Sequence, residues 1–211
     1  MKSVLCFGDS NTWGAIPGSD TGRFGPDVRW PSVMNERLGP DVTVYEAGLN
    51  GRTTVFDRLP WGWRNGKDLL VPTIEVCAPL DVVIVLLGTN DASLPYVSAV
   101  EIASGAGELI TIIRCCDGFG PRSGLAPLPL LVAPHVVGVL GAEDEQVSPG
   151  ARERSVELVD EYRRLAEALK CHFVDLSSAV EPSDVDPWHW EPAGHQAAAD
   201  LIGAEVRRIL D

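Results

Sequence analysis

Five short apolar runs punctuate the chain: Val4 to Phe7, Val42 to Gly48, Asp81 to Gly88, Leu128 to Pro134 and Cys171 to Leu176. Each is rich in β-branched residues or leucine, and most are almost continuously apolar. Strands of a parallel sheet covered on both faces have this composition. Longer amphipathic stretches separate them. In the clearest, Ser148 to Lys170, the pattern predicts Ser148 as N-cap and Pro149 at the first helical position. Its buried stripe would be Val156, Val159, Tyr162, Ala166 and Leu169. The last stretch, Glu191 to Leu210, sets Ala198, Leu201, Ile202, Val206 and Ile209 on one side. Strand and helix alternating in this way predict an α/β fold with a doubly wound sheet. Ala15 to Arg29 and Phe56 to Lys67 break the pattern. Together they are rich in Gly, Pro, Trp and Asp and read as ordered loops, and the two tryptophans of the second, Trp61 and Trp63, would either pack beneath it or mark a binding surface.

Composition narrows the picture. A chain of 211 residues with 45% apolar and 22% charged residues is expected to fold as a single domain over 1–211. Its formal net charge of −13 argues against nucleic acid and against an anionic membrane surface as partners. A small neutral or cationic molecule is the expected partner. No apolar run approaches the ~20 residues that span a bilayer. The five cysteines are odd in number and none lies in a CxxC pair, so buried reduced thiols are expected. The run after Lys2 reaches Asp9 too soon for the apolar region of a signal peptide. These readings together predict a cytoplasmic enzyme or binding protein.

Ligands of an open α/β sheet bind beyond the carboxyl ends of its strands, which selects five segments for chemistry. These are Asp9-Ser10-Asn11, Gly48 to Thr54, Gly88-Thr89-Asn90-Asp91, Ala133-Pro134-His135 and Asp184 to His195. A serine hydroxyl such as Ser10 needs a base to take its proton and a third group to orient that base. Of four histidines, His172 falls inside a strand pattern and His135 has no neighbouring carboxylate. His189 follows Asp186 by three residues, close enough for one turn of backbone to hold carboxylate against imidazole. Acyl transfer also needs donors aimed at the developing oxyanion. The Asn90 side chain, the Gly51 N–H and the Ser10 N–H are candidates, although asparagine and glycine here are equally ordinary turn formers. Asp9 is expected to shape its own turn by accepting a backbone hydrogen bond.

Taken together, Gly8-Asp9-Ser10, Gly51 in "AGLNGRTT", Gly88-Thr89-Asn90-Asp91 and Asp186-Pro187-Trp188-His189 resemble the blocks of the SGNH hydrolases, the GDSL esterase/lipase superfamily. They stand in the family's order along almost the whole chain. The resemblance implies a flavodoxin-like three-layer α/β/α fold with a five-stranded parallel sheet. It implies Ser10 as nucleophile, His189 as general acid/base and Asp186 as its orienting group, with Ser10, Gly51 and Asn90 forming the oxyanion hole. "RFGPDVRWPSVMNERLG" further resembles the bacterial arylesterase and acyltransferase branch, whose members act on short acyl esters, sometimes transfer acyl groups to alcohols or make peracids, and often assemble into oligomers. The expected substrate is therefore a small ester, acetyl esters first, and the resemblance allows a homo-oligomer. Asn11 stands where the family name has Leu, so Asn11, Trp13 and Trp188 are candidates for the substrate pocket, with Trp61, Trp63 and Trp190 close behind.

Three other readings compete. An acetylated sugar is an alternative substrate, against which tryptophan would stack. Asp186, His189, Glu191 and His195 could hold a metal, but no HExxH occurs and none is expected. A non-catalytic flavodoxin-like module would need a Gly- or Ser/Thr-rich cradle after the first strand, where Asp9 stands instead. No cofactor is expected.

Overall fold

A computed structural model describes residues 1–60 and 62–211. Its centre is a five-stranded, all-parallel sheet with strand order β2-β1-β3-β4-β5. The strands are β1 (Lys2–Gly8), β2 (Val42–Gly48), β3 (Val82–Leu86), β4 (Leu128–Ala133) and β5 (His172–Asp175). They fall on the five apolar runs, trimmed by up to two residues at an end or extended into polar flanks. The sheet matches the flavodoxin-like order expected from the resemblance.

Alternation along each strand sorts the core into two layers. Leu5, Phe7, Val83, Val85 and Leu131 face one side, where α3 (Gly66–Cys77), α5 (Ala99–Arg114) and α7 (Ala151–Leu169) cover them. Val4, Cys6, Val82, Ile84, Leu130 and Val132 face the other, beneath α2 (Trp30–Leu38) and α8 (Pro192–Leu210). The inner strands β3 and β4, covered on both faces, carry no polar residue, and polar residues appear only at the start of β1 and on the edge strands β2 and β5. Three shorter helices, α1 (Ser10–Trp13), α4 (Thr89–Ala92) and α6 (Ala142–Val147), lie at the strand ends or in the connections.

The helix beginning near Ser148 differs from its expected form. Ser148 donates its N–H to Asp144 and so closes α6, while its carbonyl receives the Ala151 N–H. Helix α7 therefore starts at Ala151, after Gly150 turns the chain at φ 70°. Its buried stripe is Ala151, Ser155, Leu158, Tyr162 and Ala166, and Val156 is exposed. The face is chosen by Leu158 and Tyr162, which join the core layer shared with α5. Leu201 of α8 is likewise on the outer side, while Ala198, Ile202 and Val206 are fully buried.

The first loop region, Ala15 to Arg29, is tied to itself and to the sheet. Ala15 and Arg23 form an antiparallel bridge, and the Arg23 and Arg29 guanidiniums both bind Glu46 on β2. No helix among the described residues is long and apolar enough to cross a membrane, and the five cysteines are all free thiols.

One close approach fixes where the serine-bearing helix can lie. Helix α1 packs its backbone directly on the end of β2, so a Cβ on Gly48 would stand 2.1 Å from Trp13 N and 2.5 Å from Trp13 Cα. Backbone cannot yield as a side-chain tip can. Gly48→Ala is therefore expected to destabilise the fold by about 1–3 kcal/mol and to displace Ser10. Urea unfolding and esterase assay together check this; an unchanged midpoint and rate would show that α1 moves freely on β2.

Candidate active site

The strand order places a topological switch between β1 and β3, and the candidate residues gather at their carboxyl ends. β1 ends at Gly8, and Asp9 then acts as N-cap of α1 by accepting the Asn11 N–H at 3.0 Å. This cap turns Ser10 up at the first helical position. Ser10 Oγ lies 3.0 Å from His189 Nε2, and His189 Nδ1 lies 3.0 Å from both oxygens of Asp186. With Asp186 accepting at Nδ1, the imidazole carries its proton there and turns an acceptor nitrogen to the serine hydroxyl.

Asp186 is more than a partner for the ring. Its Oδ1 accepts the N–H groups of Trp188 and His189, both at 2.9 Å, and its Oδ2 accepts the Gly18 N–H at 2.7 Å. Partial burial would raise this carboxyl. The His189 hydrogen bond and charge, with the Gly18 and Trp188 N–H groups, outweigh that and hold it well below the usual carboxylate range. It stays ionised across the neutral range.

Gly51 and Asn90 reach the same place from two other strands. Gly51 sits at φ 75°, a conformation open to glycine, in the turn after β2. Asn90 lies on α4 just beyond β3; its Nδ2 donates to the Arg52 carbonyl at 3.1 Å. A cavity of about 430 Å³ joins them, lined among others by Ser10, Gly51, Asn90, Trp188 and His189. The structure thus brings together all five residues singled out for acyl transfer.

The pocket side chains differ from expectation. Trp188 lines the cavity, but Asn11 and Trp13 do not. Asn11 is buried, with Nδ2 donating to the Trp188 carbonyl at 3.0 Å, so it ties α1 to the His189 loop. The Trp13 ring instead lies under the Arg23 guanidinium, 5.1 Å away. Trp190 is fully buried and cannot cover the site; Trp63 is exposed, and Trp61 lies outside the described residues. What fills the places expected for tryptophan is polar: Asn50, Arg58, Arg64 and Ser93, with Asp20 and Asp144 at the rim. Arg58 and Arg64 fall in the Phe56 to Lys67 loop, and no local sequence pattern marks them as site residues.

Behind the His189 loop runs a buried aromatic column. Trp190 Nε1 donates to His135 Nδ1 at 2.8 Å, and the Trp190 ring meets His195 edge-on at 5.4 Å. Glu191 accepts from Ser183 Oγ at 2.5 Å. The third remaining histidine, His172, pairs with Glu205 on the far side.

A parallel sheet presenting Ser, His and Asp in this relay at its switch point has the architecture of a serine ester hydrolase. The chain belongs to the GDSL-like lipase/acylhydrolase family, which it matches over residues 6–197. No curated protein matches it. Among solved structures, the native aryl esterase of M. smegmatis is 34% identical, with a TM-score of 0.93, covering 99% of this chain and 100% of that one. A carbohydrate acetylesterase from Sinorhizobium meliloti is also 34% identical, with a TM-score of 0.93 and 99% of each chain covered.

Four buried titratable groups surround the relay and act on stability in opposite senses. Burial, aided by the charge of His189, pushes His135 down to about 4; burial, with Arg29 and His189, does the same to His195. Burial pushes Asp9 and Asp91 up to about 6, against hydrogen bonds from Asn11 N–H and from Thr54. For the lowered histidines, stability is full above the ordinary value of 6.5 and is lost as pH falls toward 4. For the raised carboxyls it is full below 3.8 and lost as pH rises through 6. Between these limits the two pairs offset one another. His195→Gln removes one side of that balance, so its urea midpoint should gain on the wild type as pH drops from about 7 to about 4.5. Parallel curves would show that His195 takes up no proton on unfolding.

Proposed function

We propose that this esterase cleaves short-chain acyl esters, acetyl esters first, through an acyl-enzyme on Ser10. One observation carries the reading: Ser10 Oγ, His189 and Asp186 form an unbroken relay of 3.0 Å contacts at the wall of a cavity that also holds Gly51 and Asn90. Ser10 attacks the ester carbonyl as His189 Nε2 takes its proton, and Asp186 steadies the imidazolium. The N–H groups of Ser10 and Gly51 and the second Nδ2 hydrogen of Asn90 hold the oxyanion. His189 protonates the departing alkoxide, then activates water, or an alcohol in its place, to release the acyl group.

The short acyl group is supported by the scant apolar lining of the cavity, to which Ala15, Val147 and Trp188 contribute the apolar side chains. Its otherwise polar lining favours a second reading for the alcohol half, an acetylated sugar. Asn50, Arg58, Arg64, Ser93, Asp20 and Asp144 offer donors and acceptors for hydroxyls, in keeping with the similarity to the carbohydrate acetylesterase of S. meliloti. The free thiols support a cytoplasmic setting. Leu59, Trp63 and Tyr96, all largely exposed, support a homo-oligomer.

Ser10→Ala or His189→Ala is expected to abolish turnover of p-nitrophenyl acetate almost entirely, and Asn90→Ala to lower kcat by about 10²–10³. Near-normal rates in Ser10→Ala would overturn the acyl-enzyme. Across p-nitrophenyl esters from acetate to octanoate the rate should fall with chain length; a rise toward octanoate would remove the short-acyl reading. Faster release of acetate from acetylated xylose than from the aryl ester would decide for the sugar.

A further inference from the structure

An asparagine amide serves an oxyanion hole only in one of its two orientations. The flipped amide would turn a carbonyl oxygen toward the developing negative charge. What selects the orientation of Asn90 is therefore a catalytic question in its own right. Its Nδ2 faces the Arg52 carbonyl at 3.1 Å, and its Oδ1 faces Arg58 Nη1 at 2.9 Å. A carbonyl only accepts and a guanidinium only donates. Both bonds can be made in one orientation alone, the one that leaves the second Nδ2 hydrogen for the substrate.

Arg58 is itself held for this task. The preceding residues are pinned on both sides: Thr53 Oγ1 donates to the Phe56 carbonyl at 2.5 Å, and Tyr96 Oη to the Asp57 carbonyl at 3.3 Å. Asn65 Nδ2 adds bonds to the Val55 carbonyl at 2.9 Å and to Asp57 Oδ1 at 3.1 Å. The guanidinium is half-buried in the cavity wall, and its Nη1 lies 3.9 Å from where a Cβ on Gly51 would stand. One nitrogen thus sits between the two non-serine members of the proposed oxyanion hole. A cation on Oδ1 also draws electron density from the amide and strengthens its N–H as a donor.

We propose that Arg58 is a positioning residue for ester hydrolysis, which fixes the amide of Asn90 with its N–H₂ toward the oxyanion. This rests on the reading of Asn90 as an oxyanion donor. The effect belongs to the transition state, where the oxyanion forms, so it should appear in kcat rather than KM.

The test is a mutant cycle on p-nitrophenyl acetate hydrolysis, with wild type, Arg58→Met, Arg58→Lys, Asn90→Ala and the Arg58→Met/Asn90→Ala double variant. Methionine keeps the bulk and removes the donor; lysine keeps a donor and the charge. Arg58→Met is expected to lower kcat about tenfold with KM within about twofold, and Arg58→Lys to recover part of the loss. In the double variant Arg58→Met should add nothing to Asn90→Ala, because the group it orients is gone. Independent, multiplying losses would overturn the proposal, as would a wild-type kcat in Arg58→Met alongside a damaged Asn90→Ala. A wild-type kcat in Asn90→Ala would overturn the oxyanion reading itself. Should Arg58→Met fail to fold, Arg58→Lys with and without Asn90→Ala decides by the same non-additivity.

Discussion

The molecule depends on the position of β1 inside the sheet, between β2 and β3. This strand is hydrogen-bonded along its length to β2 on one side and β3 on the other. Its own crossover to β2 passes over one face of the sheet through α2, and the crossover that leaves β3 for β4 passes over the other through α5. Connections that leave two adjacent strand ends toward opposite faces cannot close over the gap between them, so a crevice opens there. Ser10 arrives from β1, Gly51 from β2 and Asn90 from β3, each on the first turn beyond its strand. No strand has to bend to bring them together.

The floor of that crevice is unusually charged for a protein interior. Asp91 is fully buried and accepts three contacts from Thr54, two from its N–H and one from its hydroxyl. Arg52 lies over the Phe7 ring at 3.9 Å and donates to the Gly8 and Ala47 carbonyls, where β1 and β2 end. Burial lowers its guanidinium to about 10, with Asp9 and Arg64 pulling in opposite directions. Such groups are expensive to bury and hydrogen-bond all the more strictly for it. They clamp the turn after β2 to the helix after β3, the two segments that carry Gly51 and Asn90. Part of the stability drawn from the apolar layers is thereby exchanged for a site that holds its shape.

Much of this is legible in the chain, for identifiable reasons. Inner strands buried on both faces are written as continuous apolar runs, and the half-buried edge strands β2 and β5 keep enough apolar residues to be found with them. Asp186 and His189 are neighbours in sequence, and Ser10 follows a strand end, so local spacing is enough to nominate them. The start of α7 escapes because Ser148 satisfies its N–H in the preceding helix, a choice made by α6. Val156 escapes because a stripe at helical spacing does not say which of two adjacent apolar rows meets the sheet. Trp13, Trp188 and Trp190 look alike in sequence, and only packing sends one to the pocket, one under a guanidinium and one into the core. Arg58 meets Asn90 across a fold of 32 residues, a contact that no local pattern encodes.

The bond from Gly18 N–H to Asp186 has a consequence for how such an enzyme can diversify. The excursion from Ala15 to Arg29 is the kind of surface loop that recombination or design would exchange to fit another alcohol. Here its backbone supplies one of the hydrogen bonds to the carboxylate behind the proposed general base. Exchanging that loop therefore changes the electrostatics of the base along with the fit of the substrate. Specificity and turnover are inherited as one trait, and a transplanted loop succeeds only if it carries an amide to the same point in space.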